Sequence, residues 1–177
     1  MGRRRGSWDA GVDFAAAYSR LSRLLRASRG RFPAMCYYAV LLIQLRNGCR
    51  VSEAVRAFRE FLRSGAVELR VPVSKRRGVE RLVVVPAELE ALRGEARACC
   101  SELLLVPERA LVKRVVTWCE RKLGFNTHSL RYAFITYLLR SGVNPSIVAR
   151  ITQHARLDYI LRYTQEKEAE RALRELL

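Results

Sequence analysis

The stretch HSLRYAFITYLLRSGVNPSIVARITQHARLDYILRY, residues 128–163, contains both histidines of the chain and decides how the rest of the sequence is interpreted. Its helical periodicity is interrupted by glycine and proline, which predicts short helices in succession. We expect three of them, at about 129–141, 145–153 and 156–164. His128 lies at the start of the first, His154 follows the second, and Tyr163 falls within the third. The two imidazoles and this tyrosine are therefore candidates for one shared site.

His128 and Arg131 are three residues apart at the start of a predicted helix, so both side chains are expected on the same side of it. Such a pair alone is weak evidence, because a polar helix face produces it by chance. A helix cap or a satisfied surface histidine is the alternative interpretation of an isolated His128. The later His154 and Tyr163 favour the shared site.

The charge of the chain points to a polyanionic partner. Its 177 residues include 33 lysines and arginines against 17 acids, a formal net charge of +16. Nucleic acid is the first candidate for such a protein, ahead of an anionic membrane, and a basic protein kept soluble by its charge is the alternative. All but four of the basic residues are arginines, whose planar guanidinium binds phosphate through two parallel hydrogen bonds. A GC-rich genome would produce the same bias, and the low asparagine and glutamine content hints at a thermophilic source.

Helices are predicted on both sides of a single β-hairpin. The expected helices lie at 10–28, 34–46, 52–62, 86–100 and 107–123, and the expected strands at 66–73 and 80–86. Residues 101–107 fit a short strand or a connector equally well. The fold class is therefore mainly α with a small antiparallel hairpin, an α+β fold. We expect a basic arm at residues 1–9, one catalytic domain at 10–165 and a charged C-terminal helix at 166–177.

Several classes of protein are not favoured. The longest apolar run, AMCYYAVLLI at 34–43, has ten residues, and a membrane span needs about 20. The five cysteines form no CxxC pair, so neither a zinc site nor a disulfide framework is expected, and free thiols in a reducing cytosol are the preferred interpretation. The N-terminal sequence MGRRRGSW lacks the apolar segment of a signal peptide. We expect a cytoplasmic, DNA-associated protein without a cofactor or a metal.

Cleavage of a phosphodiester without a metal requires a nucleophile, a proton donor for the leaving oxygen and cations around the phosphoryl oxygens. Lys75 is a candidate proton donor, since it is the only lysine among the first 112 residues and lies in the predicted hairpin. A lysine near other cations can lose its proton, whereas an arginine cannot do so easily. An ordinary surface lysine is the alternative.

Two blocks of the sequence resemble the tyrosine recombinases, the family of phage-type integrases and Xer-like resolvases. NGCRVSEAV, residues 47–55, is similar to the family's first motif, a turn and an arginine leading into a helix. The stretch 128–163 is similar to its HxLR…GH…Y block, with the same intervals between the functional residues. Two departures stand out. Gln153 occupies the position of the glycine that usually precedes the second histidine, and the hairpin between Lys75 and Arg81 is one residue longer than is common.

The resemblance implies a role for each matching residue. Arg50 and Arg131 would clamp the non-bridging oxygens of the scissile phosphate. Tyr163 would attack phosphorus and form a 3′-phosphotyrosyl link, which releases a 5′-hydroxyl. Tyr159 lies one helical turn earlier and is the alternative nucleophile.

The remaining assignments concern protons and DNA contacts. By the same resemblance, His128 would assist proton transfer, His154 would hydrogen-bond to the phosphate or orient the site, and Lys75 would protonate the leaving oxygen. Arg76 and Arg77 are expected to contact the DNA backbone.

The expected function is therefore that of a site-specific DNA recombinase or integrase acting by transesterification without a metal. The alternatives are a type IB topoisomerase-like enzyme, which only relaxes DNA, and a non-catalytic DNA-binding module of the same fold. The expected partners are double-stranded DNA and further copies of the chain, assembled on DNA as a tetramer or dimer of dimers. The charged tail at 166–177 would dock on a neighbouring subunit.

Overall fold

The computed structural model describes residues 11–74, 76–153 and 173–174, and the structural statements below concern these residues. Helices surround a two-stranded antiparallel sheet, so the predicted α+β fold class is confirmed. The elements are α1 (Phe14–Ala27), α2 (Ala34–Asn47), α3 (Val51–Ser64), β1 (Glu68–Pro72), β2 (Glu80–Val84), α4 (Ala87–Glu90), α5 (Arg93–Cys100), a 3₁₀ turn (Ser101–Leu104), α6 (Glu108–Leu123), α7 (Thr127–Arg140) and α8 (Pro145–Thr152).

Helix α2 is the centre of the core. Twelve of its fourteen residues are buried, and α1, α3, α6 and α7 pack around it. A helix that is apolar on every side is stable only when other elements cover all of it. The ten-residue apolar run is thus a core helix, as predicted. None of the described helices is both long and apolar enough to cross a membrane.

The turn that follows α2 is pressed against α7. Gly48 ends α2 with φ 54°, and a Cβ added there would lie 2.2 Å from Cδ1 of Phe134. Only glycine accepts both the left-handed backbone and this close approach. Because Arg50 follows this turn and Arg131 lies one helical turn before Phe134, the contact brings the two candidate phosphate ligands to the same place.

The side chain of Asn47, at the end of α2, forms two hydrogen bonds with the backbone of the hairpin. Asn47 donates from Nδ2 to the carbonyl of Val84 (2.9 Å) and accepts at Oδ1 from the backbone N–H of Val84 (2.8 Å). In the sheet, Leu69 lies opposite Val83, and both are buried. The hairpin is therefore anchored beside the α2–α3 turn.

One expectation from the sequence is wrong and one open alternative is decided. The single helix predicted at 86–100 is divided into α4 and α5, because the backbone turns at Leu92, which lets both Leu89 and Leu92 reach the core. The segment after α5, for which a strand and a connector were both open, begins with a 3₁₀ turn.

The cysteines were also misjudged. Cys36 of α2 and Cys100 of α5 form a disulfide between Cα atoms 5.8 Å apart, although free thiols were expected. Their sequence separation of 64 residues gives no signal, and the packing of α2 against α5 creates the pair. The sulfur of Cys99 lies within 4.8 Å of both, while Cys49 and Cys119 are buried free thiols elsewhere.

Candidate active site

Arg50 is fixed at the beginning of α3 by Glu53. Its backbone N–H donates to Oε2 of Glu53 (3.0 Å) and its guanidinium donates to Oε1 (3.1 Å). A carboxylate at the third helical position that accepts the first backbone N–H is half of a capping box. The Arg50 side chain is 22% exposed, so it is anchored at one edge and still reaches the surface.

Glu53 is a fully buried carboxylate that joins three segments. Besides Arg50, it accepts hydrogen bonds from the backbone N–H of Ser74 (3.2 Å) and from the guanidinium of Arg81 (3.3 Å). Burial raises the pKa of Glu53, but the hydrogen bonds from Arg50 and Ser74 and the charge of Arg81 outweigh it and hold the pKa below its ordinary value. The carboxylate is therefore ionised and ties the start of α3 to the hairpin.

Arg81 extends this network into the core. It occupies an inward position on β2, is 3% exposed, and donates to the carbonyl of Asn47 (2.7 Å) as well as to Glu53. Neither Glu53 nor Arg81 was singled out from the sequence. The Arg-x-x-Glu spacing of a capping box could have indicated Glu53, whereas an arginine on the buried face of a strand gave no recognisable signal.

Arg131 lies on α7 and is 4% exposed. Its guanidinium donates to the carbonyl of Gly48 (2.8 Å) and to the carbonyl of Thr152 (2.7 Å), so it links the α2–α3 turn to the end of α8. Burial, together with the nearby charges of Arg50 and Arg81, lowers the pKa of Arg131 to about 10. Two guanidiniums are thus bonded to the buried carboxylate of Glu53 and a third lies close to them, and three positive charges against one negative charge favour the binding of an anion.

His128 is placed at the beginning of the same helix. The side chain of Asn126 caps α7 by accepting from the backbone N–H of Ser129 (3.0 Å), and His128 is exposed at the first turn. Arg131, three residues later, is buried, so the pair combines an exposed imidazole with an anchored guanidinium. The ring of His128 lies 6.3 Å from that of Tyr132.

Lys75, His154 and Tyr163 lie outside the described residues, as does Tyr159. Their described neighbours still carry information. Ser74, directly before Lys75, is held by Glu53 through its backbone and by Ser52 through a hydroxyl–hydroxyl contact of 2.6 Å. The structure therefore brings together Arg50 and Arg131 and places the hairpin segment that leads to Lys75 beside them.

Gln153, where the sequence departs from the expected glycine, adopts a glycine-like conformation. It ends α8 with φ 56° and ψ 41°, the left-handed region. Of the described residues other than glycine, it alone has a positive φ. The backbone at this position therefore keeps the conformation that a glycine would favour.

The protein has two exposed basic surfaces. Arg76 and Arg77 are exposed in the hairpin loop, beside the cluster. On α6, the exposed Lys113, Arg114 and Arg121 line a depression of about 300 Å³ together with Tyr37, near the other end of α2, and this surface was not foreseen from the sequence. Exposed basic side chains of this kind are suited to the backbone of a nucleic acid.

The chain was compared with protein families, with curated proteins and with solved structures. A family model described as "Phage integrase family" matches residues 18–170. The protein named "Putative integrase ORF241" of Acidianus two-tailed virus is 38% identical over 177 residues, which cover 99% of this chain and 71% of that protein. An uncharacterized protein of Methanocaldococcus jannaschii is 29% identical, with 97% of this chain and 89% of that protein covered. A protein of Sputnik virophage, also named a putative integrase, is 28% identical, with coverages of 90% and 86%. No solved structure matches the chain.

Proposed function

The chain belongs to the phage integrase family, and we propose that it cleaves and rejoins double-stranded DNA through a covalent 3′-phosphotyrosyl intermediate without a metal. Its family makes it a DNA recombinase of the integrase type. The observation that carries the chemical proposal is the convergence of Arg50 and Arg131 at the α2–α3 turn, beside the hairpin.

The two arginines would bind the scissile phosphate. Arg131 is held by two carbonyl oxygens and Arg50 by Glu53, so both guanidiniums are positioned before the substrate arrives. A dianionic pentacoordinate phosphorus carries more charge on its non-bridging oxygens than the ground-state phosphodiester does. Fixed cations therefore stabilise the transition state more than the bound substrate, which is the condition for catalysis.

The proposed bond changes use the roles that the family resemblance implies. The phenolic oxygen of Tyr163 attacks phosphorus, and the bond from phosphorus to the 5′-oxygen breaks. Lys75 gives its proton to that leaving oxygen, and His128 assists the transfer of the tyrosine proton. His154 would hydrogen-bond to the phosphate. Attack by a 5′-hydroxyl on the phosphotyrosyl link reverses the sequence and rejoins the strand.

We also propose that the copies assemble on DNA through the C-terminal segment at 166–177, most of which lies outside the described residues. Support comes from an apolar cavity of about 850 Å³ between α1, the hairpin, α7 and α8, where Leu82, Tyr137 and Ile151 are exposed. Deletion of residues 166–177 should leave DNA binding intact and weaken multimer formation on DNA, measured by analytical ultracentrifugation. Unchanged assembly would contradict this part of the proposal.

The decisive experiment for the chemistry is covalent trapping. The protein is incubated in EDTA with a pool of duplexes of random central sequence, each nicked so that the short 5′-hydroxyl product diffuses away after cleavage. A covalent protein–DNA adduct should survive denaturing electrophoresis, and sequencing of the trapped DNA identifies the site. Tyr163→Phe should form no adduct, while Tyr159→Phe, the matched control one turn away, should form it. An adduct with Tyr163→Phe, or none with the unchanged protein, would contradict the proposal.

A further inference from the structure

Gln153 occupies a conformation that a glycine would adopt at lower cost. Its φ of 56° is disfavoured for side chains that carry a Cβ. An unfavourable backbone conformation persists in a folded protein when the surrounding structure compensates for it. The amide of Gln153 contributes two contacts.

The first contact is within α8. Nε2 of Gln153 donates to the carbonyl of Arg150 (3.0 Å), in the last turn of the helix, and the backbone N–H of Gln153 donates to the same carbonyl (3.3 Å). Because this bond holds Nε2, the orientation of the amide is fixed and Oε1 points away from the helix end. The second contact uses that oxygen.

The second contact crosses to the hairpin. The guanidinium of Arg76 donates to Oε1 of Gln153 (3.5 Å), which joins residues that are 77 positions apart in the sequence. A hydrogen bond of this length is weak alone. The amide of Gln153 is held by its bond to Arg150, and the backbone of Arg76 is held by its N–H, which donates to the carbonyl of Val73 (3.2 Å). Glycine offers no such link, and asparagine, which tolerates a positive φ, is one methylene shorter.

The contact between Arg76 and Gln153 lies between two segments that carry candidate catalytic residues. Arg76 directly follows Lys75, and Gln153 directly precedes His154. The end of α8 is already held by Arg131, which donates to the carbonyl of Thr152 (2.7 Å). The hairpin is held by Glu53 as far as Ser74. Beyond Ser74, the described contact that connects the loop to the rest of the site is the one to Gln153.

We propose that Gln153 is a positioning residue for the acid step of the proposed reaction, because it ties the hairpin loop, at the residue that follows Lys75, to the end of α8. The proposal rests on the function proposed above. It assigns a role to the residue at which this chain departs from its family's usual glycine, and it explains why the strained conformation is retained.

The test compares Gln153→Gly and Arg76→Ala with the double variant in the full chain. Gln153→Gly should be at least as resistant to urea as the unchanged protein, because glycine relieves the positive φ. It should bind DNA with unchanged Kd and cleave the trapped duplex about fivefold more slowly in a single turnover, the loss expected for one hydrogen bond. Gln153→Asn should show the same loss.

The double variants test whether this loss depends on Arg76. In the Arg76→Ala background, Gln153→Gly should cause no further slowing of cleavage, whereas in an Arg77→Ala background its fivefold effect should persist.

A substrate with sulfur in place of the bridging 5′-oxygen separates positioning of the acid from a general structural effect. A thiolate leaves without a proton, so the defect of Gln153→Gly should shrink to less than about twofold on this substrate. A defect of equal size on both substrates, or a Gln153→Gly variant as fast as the unchanged protein on ordinary DNA, would overturn the proposal. The outcome is distinct from failure of the proposed function, in which the unchanged protein forms no adduct.

A second readout requires no activity. Urea unfolding is measured for the unchanged protein, Gln153→Gly, Arg76→Ala and the double variant. The changes in the free energy of unfolding caused by the two single substitutions should not add up to that of the double variant, because the link between Gln153 and Arg76 exists only when both are present. Additive unfolding free energies would overturn the structural half of the proposal even if cleavage were undetectable.

Discussion

Two buried arginines of this protein have nearly the same exposure and different surroundings. Arg81 is 3% exposed and donates to the carboxylate of Glu53, so its charge is compensated within the fold. Arg131 is 4% exposed, and its two described hydrogen bonds go to the carbonyl oxygens of Gly48 and Thr152. Burial and the charges of Arg50 and Arg81 lower the pKa of Arg131 to about 10, and the charge of Glu53 opposes this shift only in part.

The different hydrogen-bond partners of Arg81 and Arg131 indicate a structural role for one arginine and a functional role for the other. Arg81 is bonded directly to the carboxylate of Glu53 and so ties β2 to α3. Arg131 is oriented by two backbone carbonyls beside the charges of Arg50 and Arg81, a position in which an arriving anion is stabilised. In our account Arg81 supports the site and Arg131 works in it. The same substitution at the two positions should therefore have opposite consequences.

The largest effect is expected for Arg131→Lys. Lysine keeps a positive charge but lacks the planar guanidinium, which can donate two parallel hydrogen bonds to a phosphate. It also lacks the forked donors that bond to the carbonyls of Gly48 and Thr152 at the same time. The single-turnover cleavage rate should fall by about 10³-fold, equivalent to about 4 kcal/mol of transition-state stabilisation. The free energy of unfolding should change by only about 1 kcal/mol. A cleavage rate within about tenfold of the unchanged protein would contradict the assigned role.

Arg81→Lys should show the reverse pattern. The contacts to Glu53 and to the carbonyl of Asn47 would both be weakened in the core, and disruption of a buried ion pair costs about 3 kcal/mol. Urea unfolding should reveal this loss, while the fraction of protein that remains folded cleaves DNA within about tenfold of the normal rate. If Arg81→Lys instead abolished cleavage and left stability unchanged, the two arginines would have been assigned the wrong way round.

Glu53→Gln should produce a smaller, pH-dependent effect. The pKa of Glu53 is lowered in the folded state, so its ionised form contributes stability above the ordinary glutamate pKa, and this contribution is lost as the pH falls through the lowered folded value. At pH 7 the glutamine variant should be less stable by about 2 kcal/mol. The difference should narrow with acidification, when measured by urea unfolding between neutral and acidic pH. A constant difference across that range would show that Glu53 acts through packing instead of charge.

The sequence predicted much of the fold because its signals are local. The apolar run of α2, the alternation in the hairpin and the breaks around α8 each depend on residues close together in the chain. The bend between α4 and α5 and the Cys36–Cys100 disulfide depend on which elements meet in three dimensions, so periodicity did not reveal them.

The candidate site divides in the same way. The motifs indicated Arg50 and Arg131, and the structure brings both to the α2–α3 turn. The pairing of Glu53 with Arg81 escaped notice because it joins α3 to β2 across 28 residues, and no rule of spacing connects these two residues, although the capping-box spacing after Arg50 could have indicated Glu53. Gln153 was noticed as a departure, but only its φ and its contact with Arg76 indicate what the side chain does.

The central claim is that Arg131 acts on the charge of the scissile phosphate, and a methylphosphonate tests it most directly. This substrate replaces one charged non-bridging oxygen of the phosphodiester with a neutral methyl group. Cleavage by the unchanged protein and by Arg131→Ala is compared on both substrates, after urea unfolding has shown that the variant is folded. The account predicts a loss of at least about 10³-fold for Arg131→Ala on the phosphodiester and a loss at least about tenfold smaller on the methylphosphonate, because little charge remains for the arginine to stabilise. An equal loss on the two substrates would contradict it.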